Sequence, residues 1–334
     1  MILGYNTSSI FTRSEVSTLV EALDLPEAIE CPQSGVKEDR VTALCMLLRR
    51  LAYPNRLVEL EMQFGWEASR ISCITRCTSA LLWQRWKHLL RFDPSRLTPD
   101  ALAWFAQAFV AKGCPMNCIA AIIDGTLKKN ARPSRNQRIL FNGWKRIHCL
   151  KYHLLVSPDG IIIHVFGPVE GRRHDITVLR ESGLEDILAA HFWGLNHKPQ
   201  YFVYGDAGYT TAGHIIAPYK GAQLTDGQRA FNEAMSKVRE PVEWMFKEVN
   251  SMFKFLNFAD NQKILLSPIG QFYLVAILLT NAHMILHRPQ TPQYFNCAPP
   301  TLAEYFRGEE IADEDLDAWG KEAPWEEIDV PETD

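Results

Sequence analysis

The chain has 334 residues, 47% of them hydrophobic and 22% charged, with a formal net charge of −4. That is an ordinary globular composition, with ample length for a core and about two domains by length alone. No uninterrupted apolar run approaches the ~18 residues of a membrane span, and the N-terminal segment shows no basic region followed by an apolar one, so neither a membrane protein nor a secreted one is expected.

The charge is unevenly spread. Residues 308–334 hold twelve acids and one base, so the other 307 residues carry 34 bases against 27 acids. A basic body with an acidic tail suits a protein that handles nucleic acid. The tail itself is expected to be disordered. Of the eight cysteines, Cys73/Cys77 and Cys114/Cys118 are spaced i,i+4, as on one helix face. Without the C-x2-C spacing usual in zinc knuckles, they are read as buried free thiols in a reducing compartment.

Taken in chain order, residues 1–112 are expected to form an all-helical domain. "DRVTALCMLLRRLA" has apolar residues near a 3.6 period, and Pro54 ends it. Gly65 then separates two apolar-periodic segments, the second starting near Glu67, which outlines a helix-turn-helix. Arg70, Arg76, Arg85 and Lys87 are its candidates for phosphate contact. Another helix is expected after Thr98 or Asp100.

From residue 118 to about 290 the pattern changes to α/β. "CIAAIIDGT" reads as a buried strand ending at Asp124, and residues 148–170 as a hairpin around "SPDG". A helix starts near Asp175, a strand ends at Asp206 in "YFVYGDAGYT", and residues 213–221 suggest another short strand. Residues 225–253 are helical, with a Thr225–Gln228 capping-box spacing and Pro241 expected to kink or divide the helix. The apolar stretch 272–286 reads as a buried helix. The hairpin argues for a mixed sheet rather than repeated βαβ units.

Asp124 and Asp206, each beside small residues at an expected strand end, and Glu243 on the late helix form a candidate catalytic and metal-binding set. Neighbouring carboxylates repel in a buried site, and a divalent cation relieves that penalty. Oxygen ligands favour Mg²⁺ or Mn²⁺, and a pair of such ions suits phosphodiester chemistry. The competing structural roles are a turn for each aspartate and an i,i+4 ion pair between Arg239 and Glu243. From Gly125 to Pro158 there is no acidic residue. Lys128, Lys129, Arg132, Arg135, Arg138, Lys145, Arg146 and Lys151 lie there, among Phe141, Trp144 and Tyr152. Basic side chains neutralise phosphates and aromatic rings stack on splayed bases, so this is the candidate DNA-binding segment.

The blocks "IIDGT", "NQRILFNGWKRIHCLKYHLLVSPDGIIIHVFGP", "GRRHDITVLRESGL", "VYGDAGYT" and "VREPVEWMF", in this order, resemble the DDE nuclease domain of PIF/Harbinger transposases and the nucleases domesticated from them. The resemblance covers about residues 118–286, and the 40–92 region looks like that family's helical N-terminal part. It implies an RNase H-like mixed sheet flanked by helices. It also implies metal-dependent cleavage and joining of double-stranded DNA at terminal inverted repeats and target sites. The family's three carboxylates match Asp124, Asp206 and Glu243, and an accessory aspartate matches Asp175, beside His174. Asp206 is preferred over Asp175 as the second catalytic acid because it ends a central strand. Trp144 and Lys247 depart from the family's usual histidine and glycine, and no carboxylate is lost. A Myb-like DNA-binding partner protein, a homo-oligomer and nuclear residence are further expectations. The alternative is a catalytically silent, domesticated derivative that binds DNA. His283 and His287 are spaced i,i+4 without an H-E-x-x-H glutamate and are not expected to bind zinc.

Overall fold

A computed structural model of the chain describes residues 10–32, 34–134, 137–192, 200–264 and 266–307. The acidic tail and Arg135 lie outside the described residues. The N-terminal region contains α1 (Arg13–Ala22), β1 (Ala28–Cys31), β2 (Val36–Asp39), α2 (Arg40–Ala52), α3 (Leu57–Phe64), α4 (Ala68–Trp86) and α5 (Pro99–Ala111). It is therefore not all-helical: β1 and β2 pair antiparallel, with Ala28 opposite Asp39 and Cys31 opposite Val36. The sequence hides this hairpin because β2 reads "VKED", polar and half exposed, with no buried face to impose a period of two. Asp39 ends it and caps α2, accepting from the N–H groups of Val41 and Thr42 at 3.1 and 3.0 Å.

Where a helix-turn-helix is expected, α3 ends at a left-handed Gly65 (φ 71°) and α4 follows. Gly65 can adopt this φ without a Cβ penalty. However, α4 is packed, with Ile71, Ile74, Thr78 and Leu82 buried. The basic residues expected to meet phosphates are mostly engaged inside the protein. Arg70 pairs with Glu38 at 3.2 Å and lies over the Trp66 ring, Arg85 pairs with Asp24, and Lys87 is buried.

The α/β part follows as β3 (Ile119–Lys129), α6 (Gln137–Leu140), β4 (Phe141–Asn142), β5 (Ile147–Val156), β6 (Ile162–Glu170), α7 (Asp175–Glu181), α8 (Leu184–His191), β7 (Phe202–Tyr204) and β8 (Ile215–Ile216). Then come α9 (Asp226–Met252), α10 (Ile269–His287), α11 (Gln290–Phe295) and α12 (Leu302–Tyr305). The strand order is β4-β5-β3-β7-β8, with β6 also paired to β5. β5 pairs antiparallel with β3, β4 and β6, whereas β3–β7 and β7–β8 are parallel. This is a mixed sheet flanked by helices, consistent with a DDE nuclease fold. A buried apolar cluster runs from the N-terminal helices through the sheet to α10.

Two details set the frame of the site. α9 runs from Asp226 to Met252 as one helix through Pro241, opened by the Thr225–Gln228 capping box, so the proline does not divide it. α10 is long and apolar enough, by length and composition, to cross a membrane. Here it is a core helix, buried along almost its whole length. Its Asn281 is spent on the sheet: Oδ1 accepts from the Ile162 N–H at 2.9 Å and Nδ2 donates to the Ile162 carbonyl at 2.8 Å. A polar residue inside an apolar helix thus satisfies backbone groups of β6.

Candidate active site

Asp124 is not at a strand end, as the sequence suggests; β3 continues to Lys129. What ends near Asp124 is the parallel partner. The last β3–β7 pair is Ile122 with Tyr204, while pairing with β5 continues through Asp124–Leu154 and Gly125–His153. Asp206 lies two residues past the end of β7. Both aspartates therefore sit where the parallel pair opens at its carboxyl end, the usual crevice for ligands in such sheets.

Glu243 reaches the same place from α9. Arg239 Nη1 donates to Asp124 Oδ2 at 2.7 Å and its Nη2 donates to Glu243 Oε1 at 2.9 Å. One guanidinium thus holds two of the three candidate carboxylates. The i,i+4 ion pair exists, and it lies inside the site rather than away from it.

Asp206 Oδ1 accepts from the Gly208 N–H at 2.8 Å, so this aspartate also shapes its turn. Asp175, at the start of α7, is close by and ion-paired to Lys151 at 2.8 Å. A Cβ on Gly208 would lie 2.9 Å from Asp206 Oδ1 and 3.2 Å from Asp175 Oδ2. A Cβ on Gly125 would lie 2.8 Å from Asp175 Oδ1. A side chain at Gly125 or Gly208 would thus push these carboxylates from their present positions. Asp124, Asp175, Asp206 and Glu243 converge on one region.

The electrostatics agree. Burial pushes the Asp124 carboxyl up to about 6; Arg239 opposes this, and the negative charges of Asp206 and Glu243 add to it. Tyr209 is fully buried, its hydroxyl has no hydrogen-bond partner among the described residues, and it lies among Asp175, Asp124 and Asp206. Burial first, then those three charges, hold its phenol well above the usual range. Sequence alone singles out neither Tyr209 nor Lys151 for this site. The "G-D-A-G-Y" block contains Tyr209, but only the fold shows which way it faces. His174 precedes α7 and makes no side-chain cap bond.

The candidate DNA-binding segment divides. Lys129, Arg132, Arg138, Lys145 and Arg146 are exposed, beside Trp144, which is 88% exposed, and Phe141. Lys128 is a correction: it is buried, donates to Asn250 and lies 4.5 Å over the Tyr273 ring. Burial lowers its pKa to about 7. Strand alternation explains this, since Lys128 and Lys129 face opposite sides of β3. Lys151 and Tyr152 are likewise buried, not surface contacts. At ~3.3 Å per residue, Lys129 lies ~17 Å along β3 from Asp124.

The arrangement is thus a group of neighbouring carboxylates, bridged in part by Arg239, at the carboxyl end of a parallel strand pair in an α/β sheet. Residues 123–281, just under half of the chain, match the DDE superfamily endonuclease family. The chain is also 27% identical over 150 residues to the probable transposase for insertion sequence element IS702 of Microchaete diplosiphon. The aligned region covers 42% of this chain and 48% of that protein, so the chain spans about half the length of the curated relative it matches. No solved structure matches it. Together the matches support a DDE-type transposase nuclease domain.

Proposed function

We propose that this chain is a divalent-metal-dependent nuclease of PIF/Harbinger type, with an RNase H-like fold, that cuts and joins DNA phosphodiesters. The observation that carries the proposal is the convergence of Asp124 and Glu243 on one guanidinium, with Asp206 and Asp175 beside the glycines that follow the aspartates. In this reading Asp124, Asp206 and Glu243 hold Mg²⁺ or Mn²⁺. The donor set fits in kind, being all carboxylate; burial raises the Asp124 carboxyl, Arg239 opposes this, and the charges of Asp206 and Glu243 add to it. When bound, a pair of ions stabilises the attacking and leaving oxygens of the phosphodiester.

The chain's own residues prepare that step. Asp124 sheds its proton near pH 6, so it is available as a ligand at neutral pH. The Gly125 and Gly208 N–H groups, each 2.8 Å from its carboxylate, fix the orientation of Asp124 and Asp206. Lys151 holds Asp175 aside as a paired, accessory acid. Arg239 balances the remaining charge. Lys129, Arg132, Arg138, Lys145 and Arg146 neutralise backbone phosphates, and Trp144 offers a stacking surface.

Terminal inverted repeats as substrate, a Myb-like partner protein, a homo-oligomer that joins two ends, and nuclear residence complete the proposal. The test is nicking and joining on DNA carrying inverted-repeat ends, with Mg²⁺ or Mn²⁺ and with the partner present. Wild type is expected to act and Asp206→Asn to be inactive. Equal activity of the two would sink the assignment. The second reading, a DNA-binding derivative without turnover, is favoured by one observation: Arg239 already occupies both Asp124 and Glu243. DNA binding without cleavage under the same conditions would establish it.

A further inference from the structure

Away from the carboxylates, three thiols meet. Cys73 and Cys77 share a face of α4, and Cys31 ends β1 of the N-terminal hairpin. Their Sγ atoms all lie within 4.8 Å of one another. The turn after Cys31 is fixed from within, because its carbonyl accepts from the Ser34 and Gly35 N–H groups at 3.1 and 2.9 Å. The same turn brings Ser34 Oγ to 3.1 Å from Cys73 Sγ. Three sulfurs are thus gathered by two elements far apart in sequence, which the i,i+4 spacing of Cys73 and Cys77 does not reveal.

We propose that Cys31, Cys73 and Cys77 form a thiolate site for zinc that staples the β1–β2 hairpin to α4. Zn–S bonds are ~2.3 Å. Even with all three sulfurs at the 4.8 Å limit, an ion at their centre would be ~2.8 Å from each, so each has to close by only ~0.5 Å. Rotation about the cysteine side chains supplies that without moving backbone. Soft thiolates select zinc over the hard ions suited to the carboxylate site.

The surroundings favour ligation. Burial raises the Cys73 thiol, but the hydrogen bonds from Ser34, Cys31 and Cys77 and the charge of Arg76 outweigh it, and its pKa falls below the usual value. Burial raises Cys31 strongly, and its thiol neighbours add to this. Binding a cation to the three thiols would release protons. Among the described residues no fourth histidine, cysteine or carboxylate joins the three. All three cysteines and Arg76 line a cleft of about 690 Å³ between α4 and the segment preceding and opening α10. It is an entry path for the ion, and it leaves a fourth position to solvent or an external donor.

The test is Co²⁺ titration of the reduced full-length chain. Wild type is expected to develop an intense thiolate-to-cobalt charge-transfer band in the near ultraviolet, saturating at about one ion per chain and bleached by Zn²⁺. Cys73→Ser should lose the band. Cys118→Ser, in the other i,i+4 pair, should keep it. Asp124→Asn should also keep it, which separates this site from the carboxylates, whose oxygen ligands give no such band. The absence of the band from folded, reduced wild-type protein would overturn the proposal. So would its survival in Cys73→Ser. Because the decisive spectrum is that of wild type, the test does not depend on a variant's folding.

Discussion

Asp124→Asn should make the metal-free protein more stable while abolishing cleavage. The Asp124 carboxyl rises from 3.8 to about 6 on folding, first because it is buried. At ~1.4 kcal/mol per pH unit, its ionised form costs the fold on the order of 3 kcal/mol at neutral pH. The sign follows from the raised value. Between about pH 4 and pH 6 the folded state binds more protons than the unfolded one, so the stabilising contribution is present below pH 4 and lost as pH rises through 6. Asparagine removes the charge and still offers an oxygen to the Gly125 N–H, the bond at 2.8 Å. Arg239 loses one partner but keeps Glu243.

Urea denaturation with a chelator present reads this directly. The variant's advantage should be ~3 kcal/mol at pH 7.5 and shrink to ~1 kcal/mol at pH 4.5. Adding Mg²⁺ or Mn²⁺ at about 100 times its Kd should stabilise only wild type, by ~2.7 kcal/mol, and nearly erase the difference. A variant that is less stable than wild type at pH 7.5, or an advantage that does not change with pH, would refute the reasoning. Asp124 would then be an ordinary satisfied ion-pair partner.

Gly208→Ala should leave the fold intact and reduce cleavage at least tenfold, because its Cβ would lie 2.9 Å from Asp206 Oδ1; circular dichroism and a nicking assay read the two effects. Arg96→Met should destabilise by ~3–5 kcal/mol in denaturant titration, since it strands Asp159, whose side chain is 2% exposed and paired at 2.8 Å. Burial, with nearby charge, lowers His153 to about 3 and His164 to about 4. The fold should therefore lose up to ~1.4 kcal/mol per pH unit per histidine as pH falls below about 6, and His164→Leu should flatten that limb of the stability curve. Lys129→Ala should reduce the slope of log K against log salt by ~0.9 for each phosphate that the side chain neutralises, whereas Lys128→Met should leave the slope unchanged.

Local chemistry makes much of the fold legible. The "SPDG" turn, the Thr225 capping box, the Gly65 break and the helix beginning at Asp175 all appear where residue type and spacing imply them. The β1–β2 hairpin is not legible because its stability comes from packing on α4 and α2, not from its own alternation. Lys128 misleads for a related reason. In a one-dimensional run of basic residues, position within the run says nothing about side, but a strand turns successive residues to opposite faces. The trio of thiols is illegible because Cys31 is 42 residues from Cys73 in the chain. Only tertiary structure brings it across.

Arg239 shows why the structural and the catalytic readings of one ion pair need not compete. A helix alone would place Arg239 beside Glu243 for a few tenths of a kcal/mol. Here α9 also sets that guanidinium against Asp124, whose side chain is only 13% exposed. In that setting the arginine offsets charge that burial makes expensive, so it supports the metal-free fold. Under the proposed function the same interaction occupies oxygens that a divalent ion would need, so binding the ion would exchange one cation for another. Replacing Arg239 with glutamine therefore separates the two roles. Metal-free stability should fall and the Asp124 carboxyl should rise above about 6, while divalent-ion affinity should increase because its competitor is gone. A loss of affinity in Arg239→Gln would instead mean that the guanidinium holds Asp124 and Glu243 in position for the ion rather than in place of it.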